Sequence, residues 1–191
     1  ISPTSKKGEI RAEVDRLILD SIKNKKLEAI IARAPDFMGG TARDQSIPIV
    51  MIYNNLLKDK KAQWFCDAKR IHSIGYVPDL AKGMAMLGNT ADAYNQVWNL
   101  PCTTEKITGE QWVKLFAEAM GKKNSCFVLP NWLVKSMGLF IPVLKEVAEM
   151  NYQYDRDYYF DSTKFNTRFH FTPTTNAQAV KLTLEQLTRN G

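Results

Sequence analysis

"AIIARAPDFMGG", Ala29 to Gly40, is the stretch that decides how this chain folds. From Ala29 to Ala34 it is apolar except for Arg33, it follows the lysine-rich turn Lys23 to Lys26, and it stops at Pro35 and the Gly39-Gly40-Thr41 break. A short apolar run bounded in this way, too brief for a helix, is expected to be a strand covered on both faces. Just before it, "SKKGEIRAEVDRLIL" (Ser5 to Leu19) has helical spacing, with Ile10, Val14, Leu17, Ile18 and Ile22 on one stripe and Lys7, Arg11 and Asp15 on another. A helix feeding a doubly covered strand needs partner strands, so the order begins in mid-stream.

Downstream, helical and strand-like segments alternate. Ile47 to Leu57 is expected as a helix behind Pro48, and Ala62 to Cys66 and Ile71 to Val77 as short strands. Pro78 and Asp79 open a helix ending at Gly88, with Leu80, Ala81, Met84, Ala85 and Leu87 as its inner face. Gln96 to Cys102 is a further strand, and Thr108-x-x-Gln111 is a capping box for a helix to Gly121 whose face is Trp112, Leu115, Phe116 and Ala119. Ser125 to Pro130 is a strand, and Asn131 to Tyr152 is expected as two helices parted at Pro142. Tyr152 to Phe171 is aromatic and polar without a period, and a last helix runs from Thr175, with Ala177, Val180, Leu184 and Leu187 at its inner face. Alternation of this kind points to an α/β or α+β fold with a partly parallel sheet.

Bulk properties narrow the function. With 191 residues, 45% of them hydrophobic, the chain has material for a substantial core. A net charge of +6 suits an anionic partner, but Lys and Arg are interleaved with Asp and Glu, and no basic stripe carries regularly placed aromatics, which argues against nucleic acid. The densest basic run, Lys58 to Lys61, is expected to be a solvated turn. No apolar run approaches the roughly 18 residues needed to span a bilayer. Cys66, Cys102 and Cys126 lie far apart and only two histidines are present, so neither a zinc site nor a disulfide framework is indicated, and a cytoplasmic setting is expected. The first residue, Ile1, is expected to lie within a longer protein.

Taken together, "IIARAPDFMGG", "HSIGYVPDLAKGMAML", "QVWNLP", "ITGEQWVKLFAEAMG" and "DSTKFNTRFHFTPTT" resemble the later half of an NAD(P)-dependent epimerase/dehydratase, in the extended branch of the short-chain dehydrogenase/reductases. The resemblance implies an α/β chain: the C-terminal part of an NAD(P)-binding Rossmann-type fold plus a small α+β substrate lobe. Residues 1–45 would supply the last helix and strand of the core, and residues 46–191 the substrate lobe interleaved with a late core strand at 96–102. The family's Arg-Pro-x-Asn-x-x-Gly-Pro motif falls on Arg33 to Gly40, so its substrate-holding asparagine is Asp36 here, and Arg33 and Pro35 would stand beside the cofactor. Its Arg-x-x-x-x-Val-x-Asp-x-Ala segment falls on His72, Val77, Asp79 and Ala81; the arginine that contacts a substrate phosphate is therefore His72, with Arg70 two residues earlier. Asp161, Lys164 and Pro173 match the family's Asp-x-x-Lys and its proline before the last helix.

In that family a Tyr-x-x-x-Lys pair on the helix before the Arg-Pro strand exchanges the substrate proton, the ammonium lowering the phenol's pKa. Counting back from Arg33 puts Lys7 at the tyrosine's position and Arg11 at the lysine's; the first tyrosine of the chain is Tyr53. No G-x-G-x-x-G occurs in these residues, so the resemblance implies NAD or NADP in the full-length protein and none for this chain alone. It also implies a small carbonyl or sugar-like substrate and allows a homodimer. A non-catalytic relative that binds a dinucleotide or a partner is the alternative reading, with a small anion-binding domain third. Among other residues, His72 and His170 are expected as structural groups near a cleft, Glu146 and Glu149 as a polar helix edge, and Tyr152, Tyr154, Tyr158 and Tyr159 as packing residues with polar tips.

Overall fold

A computed structural model describes residues 3, 5–137 and 149–189 of the chain. Helix α1 (Lys6–Lys23) starts where the Ser5 hydroxyl accepts from the Gly8 N–H, an N-cap that satisfies one of the free donors of the first turn. Strand β1 (Ile30–Arg33), strand β2 (Asp36–Met38), a π-turn at Ile49–Tyr53 and helix α2 (Asn54–Leu57) follow. Then come β3 (Ala62–Phe65), β4 (Ile74–Tyr76), α3 (Val77–Gly88), β5 (Gln96–Asn99), α4 (Gly109–Ala119) and β6 (Cys126–Leu129). Helices α5 (Asn131–Met137), α6 (Thr163–Arg168) and α7 (Asn176–Arg189) come last, and short 3-10 turns lie at Arg43–Gln45, Ala91–Ala93 and Asn151–Gln153. The expected helix break at Pro142, and Glu146 with it, lies outside the described residues.

The strands form three parallel pairs, β1 with β5, β2 with β4 and β3 with β6. Each pair joins segments far apart in sequence, with helical chain between them, as parallel pairing requires. The larger core lies under β2, β3 and β4, where Trp64, Trp112, Phe116, Ile52 and Met38 are fully buried. A second cluster of Leu80, Leu87, Trp98, Leu100 and Phe165 packs α3 and α6 against β5. The capping box forms as the spacing requires: Thr108 Oγ1 accepts from the Gln111 N–H and Gln111 Oε1 from the Thr108 N–H.

Packing around three elements is not what the sequence pattern alone conveys. Strand β1 is not covered along its length: Ile30 is half-buried and Ile31 buried, while Ala32, Arg33 and Ala34 are exposed and line a cleft. Helix α1 buries no residue; Ile10, Val14 and Leu17 are 52%, 48% and 68% exposed. Helix α3 buries Leu80 and Leu87 as expected but is rotated about them, with Asp79 and Gly83 buried and Ala81, Met84 and Ala85 in solvent. The cause is close approach: a Cβ on Gly83 would stand 2.3 Å from Pro101 Cδ, so only glycine lets this face meet β5's exit. Asp79 is drawn in by a polar anchor, its Oδ2 accepting the Thr174 N–H at 2.7 Å and fixing the turn before α7. Helices α4 and α7 rotate more modestly, with Val113 and Ala117 buried in place of Leu115 and Ala119, and Ala179 and Thr183 in place of Ala177 and Leu184.

Candidate functional site

Pairing of β2 with β4 sets Asp36 opposite Ile74, two residues beyond His72. Across that step His72 Nε2 and Asp36 Oδ2 lie 2.8 Å apart, and the Tyr154 hydroxyl donates to the same carboxylate oxygen at 2.7 Å. The Tyr154 ring stacks on the imidazole, with centroids 4.4 Å apart and 17° between planes. Trp64 meets both rings edge-on, and the Trp112 Nε1–H donates to the His72 carbonyl at 2.7 Å. His72 is 2% exposed, whereas the Asp36 side chain keeps 27% of its surface. Both contacts converge on Oδ2.

The charge state follows from these contacts. Burial pushes the Asp36 carboxyl upward, but the His72 hydrogen bond and charge, together with the Tyr154 phenol, outweigh it and hold Asp36 below the usual carboxylate value. The same contacts act in reverse on the phenols. Burial and then the Asp36 charge drive Tyr154 well above its ordinary value, and burial with Asp36 does the same to Tyr158, Arg11 opposing it. At neutral pH the cluster is therefore an ionised Asp36 carboxylate with the Tyr154 phenol still carrying its proton.

Asp36 opens onto a cleft of about 680 Å³ between α1 and the β1–β2 segment. That volume is within the range of about 300–1,000 Å³ typical of small-molecule sites. Its polar lining is Arg11, Asp15, Arg33, Asp36, Gln153 and Tyr158, and Ile10, Val14, Ile31, Phe37, Met150 and Phe160 are among the apolar groups. Arg33 reaches back to Asp15 in an ion pair that links β1 to α1. Of the residues singled out in the sequence, Arg11, Arg33, Pro35 and Asp36 line this cleft, and His72 stands behind Asp36. Lys7 is exposed one turn from Arg11 and is not part of the lining. Arg70 lies outside it too, its Nε donating to Asp67 at 3.0 Å. His170 and Glu149 are exposed and do not contribute.

Sequence reasoning missed Tyr154 and Tyr158 as parts of the site. Both come from the aperiodic segment after residue 150, which enters the fold by pairing with the stretch before β4: Tyr158 N–H donates to Ile71 O and Ser73 N–H to Tyr158 O. The only local signal was the density of aromatics in "NYQYDRDYYF". The other motif positions anchor the fold instead. Lys164 Nζ bonds Gln96 Oε1 and the Val97 carbonyl and lies 3.9 Å from the Trp98 ring centroid, tying α6 to β5.

Parallel pairs with helical crossovers, and a cleft at the end of the strand that follows α1, define a portion of a Rossmann-type α/β protein. Among solved structures, the chain is similar to dTDP-glucose 4,6-dehydratase from Bacillus anthracis in complex with NAD, with a TM-score of 0.77 and 18% identity over 100% of this chain and 54% of that one. UDP-glucose 4-epimerase from Thermotoga maritima with UDP-glucose gives a TM-score of 0.73 at 17% identity, over 96% of this chain and 53% of that one. UDP-glucuronic acid 4-epimerase from Bacillus cereus, in complex with UDP-glucuronic acid and NAD, gives 0.75 at 16% identity, over 100% of this chain and 55% of that one. The chain therefore has the fold of roughly the C-terminal half of the NAD-dependent epimerases and dehydratases, and it spans about half the length of the structures it matches. No protein-family model matches the sequence, and no curated protein matches it. Among the described residues no helix is long and apolar enough to cross a membrane.

Proposed function

We propose that this chain is the substrate-lobe portion of an NAD(P)-linked, epimerase/dehydratase-like protein of the cytosol, and that the cleft between α1 and β2 holds a small carbonyl or sugar-like substrate against Asp36. In this reading residues 1–45 complete the cofactor-binding core and residues 46–191 form the substrate lobe, with Arg33 and Pro35 nearest the dinucleotide of the full-length protein, which pairs as a homodimer. Lys7 and Arg11 occupy the positions of the family's tyrosine and lysine. Arg11 is a fixed cation for the cleft, because a guanidinium holds an anion or a hydroxyl but does not trade its proton.

One observation carries the reading of the substrate. Two of the residues at which the chain departs from the family's substrate motifs, Asp36 for asparagine and His72 for arginine, bond to each other. A histidine committed to a carboxylate is not available to a diphosphate, and an ionised Asp36 repels one while accepting from hydroxyl groups. The substrate is therefore a hydroxyl-bearing molecule without a phosphate beside Asp36. Titrating the chain with glucose, glucose 1-phosphate and UDP-glucose, read from the amide shifts of Ala32 to Phe37, tests this. The neutral sugar is expected to give the larger response, and Asp36→Asn to remove its advantage; a response led by UDP-glucose in the unmodified chain refutes the reading.

The absence of tyrosine from α1, with Lys7 outside the cleft lining, favours the second reading, a non-catalytic relative. The two separate on the full-length protein loaded with nicotinamide dinucleotide. Hydride exchange that persists in Lys7→Met and Arg11→Met variants removes α1 as the proton source, and no exchange in the unmodified protein favours the non-catalytic relative.

A further inference from the structure

The run Lys58 to Lys61, expected as a solvated turn, meets a second basic pair in the fold. Helices α2 and α4 end alike. Each stops at a residue in the left-handed region, Asp59 (φ 54°) and Gly121 (φ 61°), and each then sends a lysine pair toward one of two adjacent parallel strands, β3 and β6. Ala62 N–H donates to Ser125 O at 3.0 Å and locks the two turns side by side. Lys60, Lys61, Lys122 and Lys123 thereby line one concavity of about 240 Å³ with Ser125 and Asp59.

Lysines beyond a helix C-terminus ordinarily serve its free carbonyls. Here the backbone has already taken those acceptors: Lys60 N–H donates to Asn55 O, Gly121 N–H to Glu118 O and Lys122 N–H to Ala117 O. The one carboxylate in the lining, Asp59, is bonded to Lys122 Nζ at 2.6 Å, which leaves Lys60, Lys61 and Lys123 as further cations lining the same hollow. Like charges gathered in a concavity repel one another and focus a positive potential that a multivalent anion relieves. The hollow is smaller than the roughly 300 Å³ at which small-molecule pockets begin, so it suits a cluster of phosphate groups and not a whole nucleotide.

We propose that the paired turns at the N-terminal ends of β3 and β6 form an anion site for a compact multivalent oxyanion of the phosphate class, separate from the Asp36 cleft, with which it shares no lining residue. The anion is either a free polyphosphate or the phosphate tail of a nucleotide. The experiment titrates the 191-residue chain with sodium tripolyphosphate and, separately, with ATP in about 0.15 M NaCl, where the screening length is about 8 Å. The readout is the amide shifts of Lys60 to Ala62 and Lys122 to Ser125. Saturable shifts with both probes support the site, equal affinities pointing to a free polyphosphate and tighter ATP binding to a nucleotide tail. Lys61→Gln with Lys123→Gln is expected to weaken tripolyphosphate binding at least about tenfold. Asp59→Asn, which keeps a side chain tolerant of the left-handed backbone and releases Lys122, is expected to tighten it about threefold. Shifts that rise linearly without saturation, or variants that bind as the unmodified chain does while keeping its melting temperature, overturn the proposal.

Discussion

Replacing Tyr154 with phenylalanine isolates the polar part of the Asp36 cluster. The ring remains, with its stack on His72 and its edge contacts to Trp64 and Phe65, and one hydroxyl is lost. That hydroxyl donates to an ionised carboxylate, and hydrogen bonds to charged groups contribute about 1.5–3 kcal/mol. Because the Asp36 side chain keeps 27% of its surface, water replaces part of the bond, and the net loss is about 1–2 kcal/mol. In a protein of this size each kcal/mol lowers the melting temperature by about 2–4 °C, so the variant melts about 2–8 °C below the unmodified chain. The pH dependence carries a sign. The folded Asp36 carboxyl lies below its usual value, so its stabilisation is fully present above the unfolded pKa of about 3.9 and is lost as pH falls through the folded value. The difference between the two proteins is therefore flat from pH 8 to about 5 and shrinks only as pH falls through the folded value of Asp36, below which a neutral acceptor leaves a bond of about 0.5–1.5 kcal/mol. Urea unfolding at pH 7, 5 and 3.5 measures it. A cycle with Asp36→Asn should return a coupling of about 1 kcal/mol at pH 7. A stability difference independent of pH, or coupling near zero, would mean that the phenol only packs, and the electrostatic account of the site would fall with it.

Two further predictions test the packing around the site. Gly83→Ala places a Cβ 2.3 Å from Pro101 Cδ and 2.8 Å from Cγ and should destabilise by about 1–3 kcal/mol, whereas Gly88→Ala on the same helix meets nothing within 4 Å and should stabilise by about 0.5–1 kcal/mol. Urea midpoints in the opposite order would show that α3 turns another face inward. The Cys102 thiol is pushed up to about 12 by burial, and its Sγ lies 3.7 Å from the Ile74 carbonyl oxygen. Iodoacetamide at pH 8 should leave Cys102 unmodified until urea unfolds the chain; labelling at the rate of Cys66 would contradict the burial assigned to it.

Local chemistry made some elements legible and left others hidden. The Thr108 and Gln111 pair announces α4 because both of its bonds close within one turn. Helix α6 gave no such signal: Thr163 to Arg168 has a single buried residue, Phe165, and its stability comes from Trp98 and Phe169, one of them far away in sequence. Periodicity found α3 and its Leu80 and Leu87 but missed the rotation between them, since Gly83 packed against Pro101 and Asp79 bonded to the Thr174 N–H take the places expected for Ala81, Met84 and Ala85. The exposed stripe of α1 shows the same limit, because helical spacing reports which residues share a face and not what that face meets.

The candidate site was legible only position by position. Motif spacing drew attention to Asp36 and His72 separately, as a lost asparagine and a lost arginine, each an unfavourable change for a phosphate-bearing substrate. Parallel pairing of β2 with β4 turns them into one change. An aspartate alone at the cleft floor would be a half-buried charge without a partner, and a histidine alone beneath it would be a buried polar ring with nothing to bond. Together, with the Tyr154 hydroxyl on the same oxygen, they make a hydrogen-bonded carboxylate at the cleft in which each buried polar group has a partner. Reverting either residue by itself should therefore be worse than reverting both. Asp36→Asn leaves His72 and Tyr154 with a weaker acceptor, His72→Arg forces a longer cation into a space 2% exposed, and only the double change offers the guanidinium a neutral neighbour.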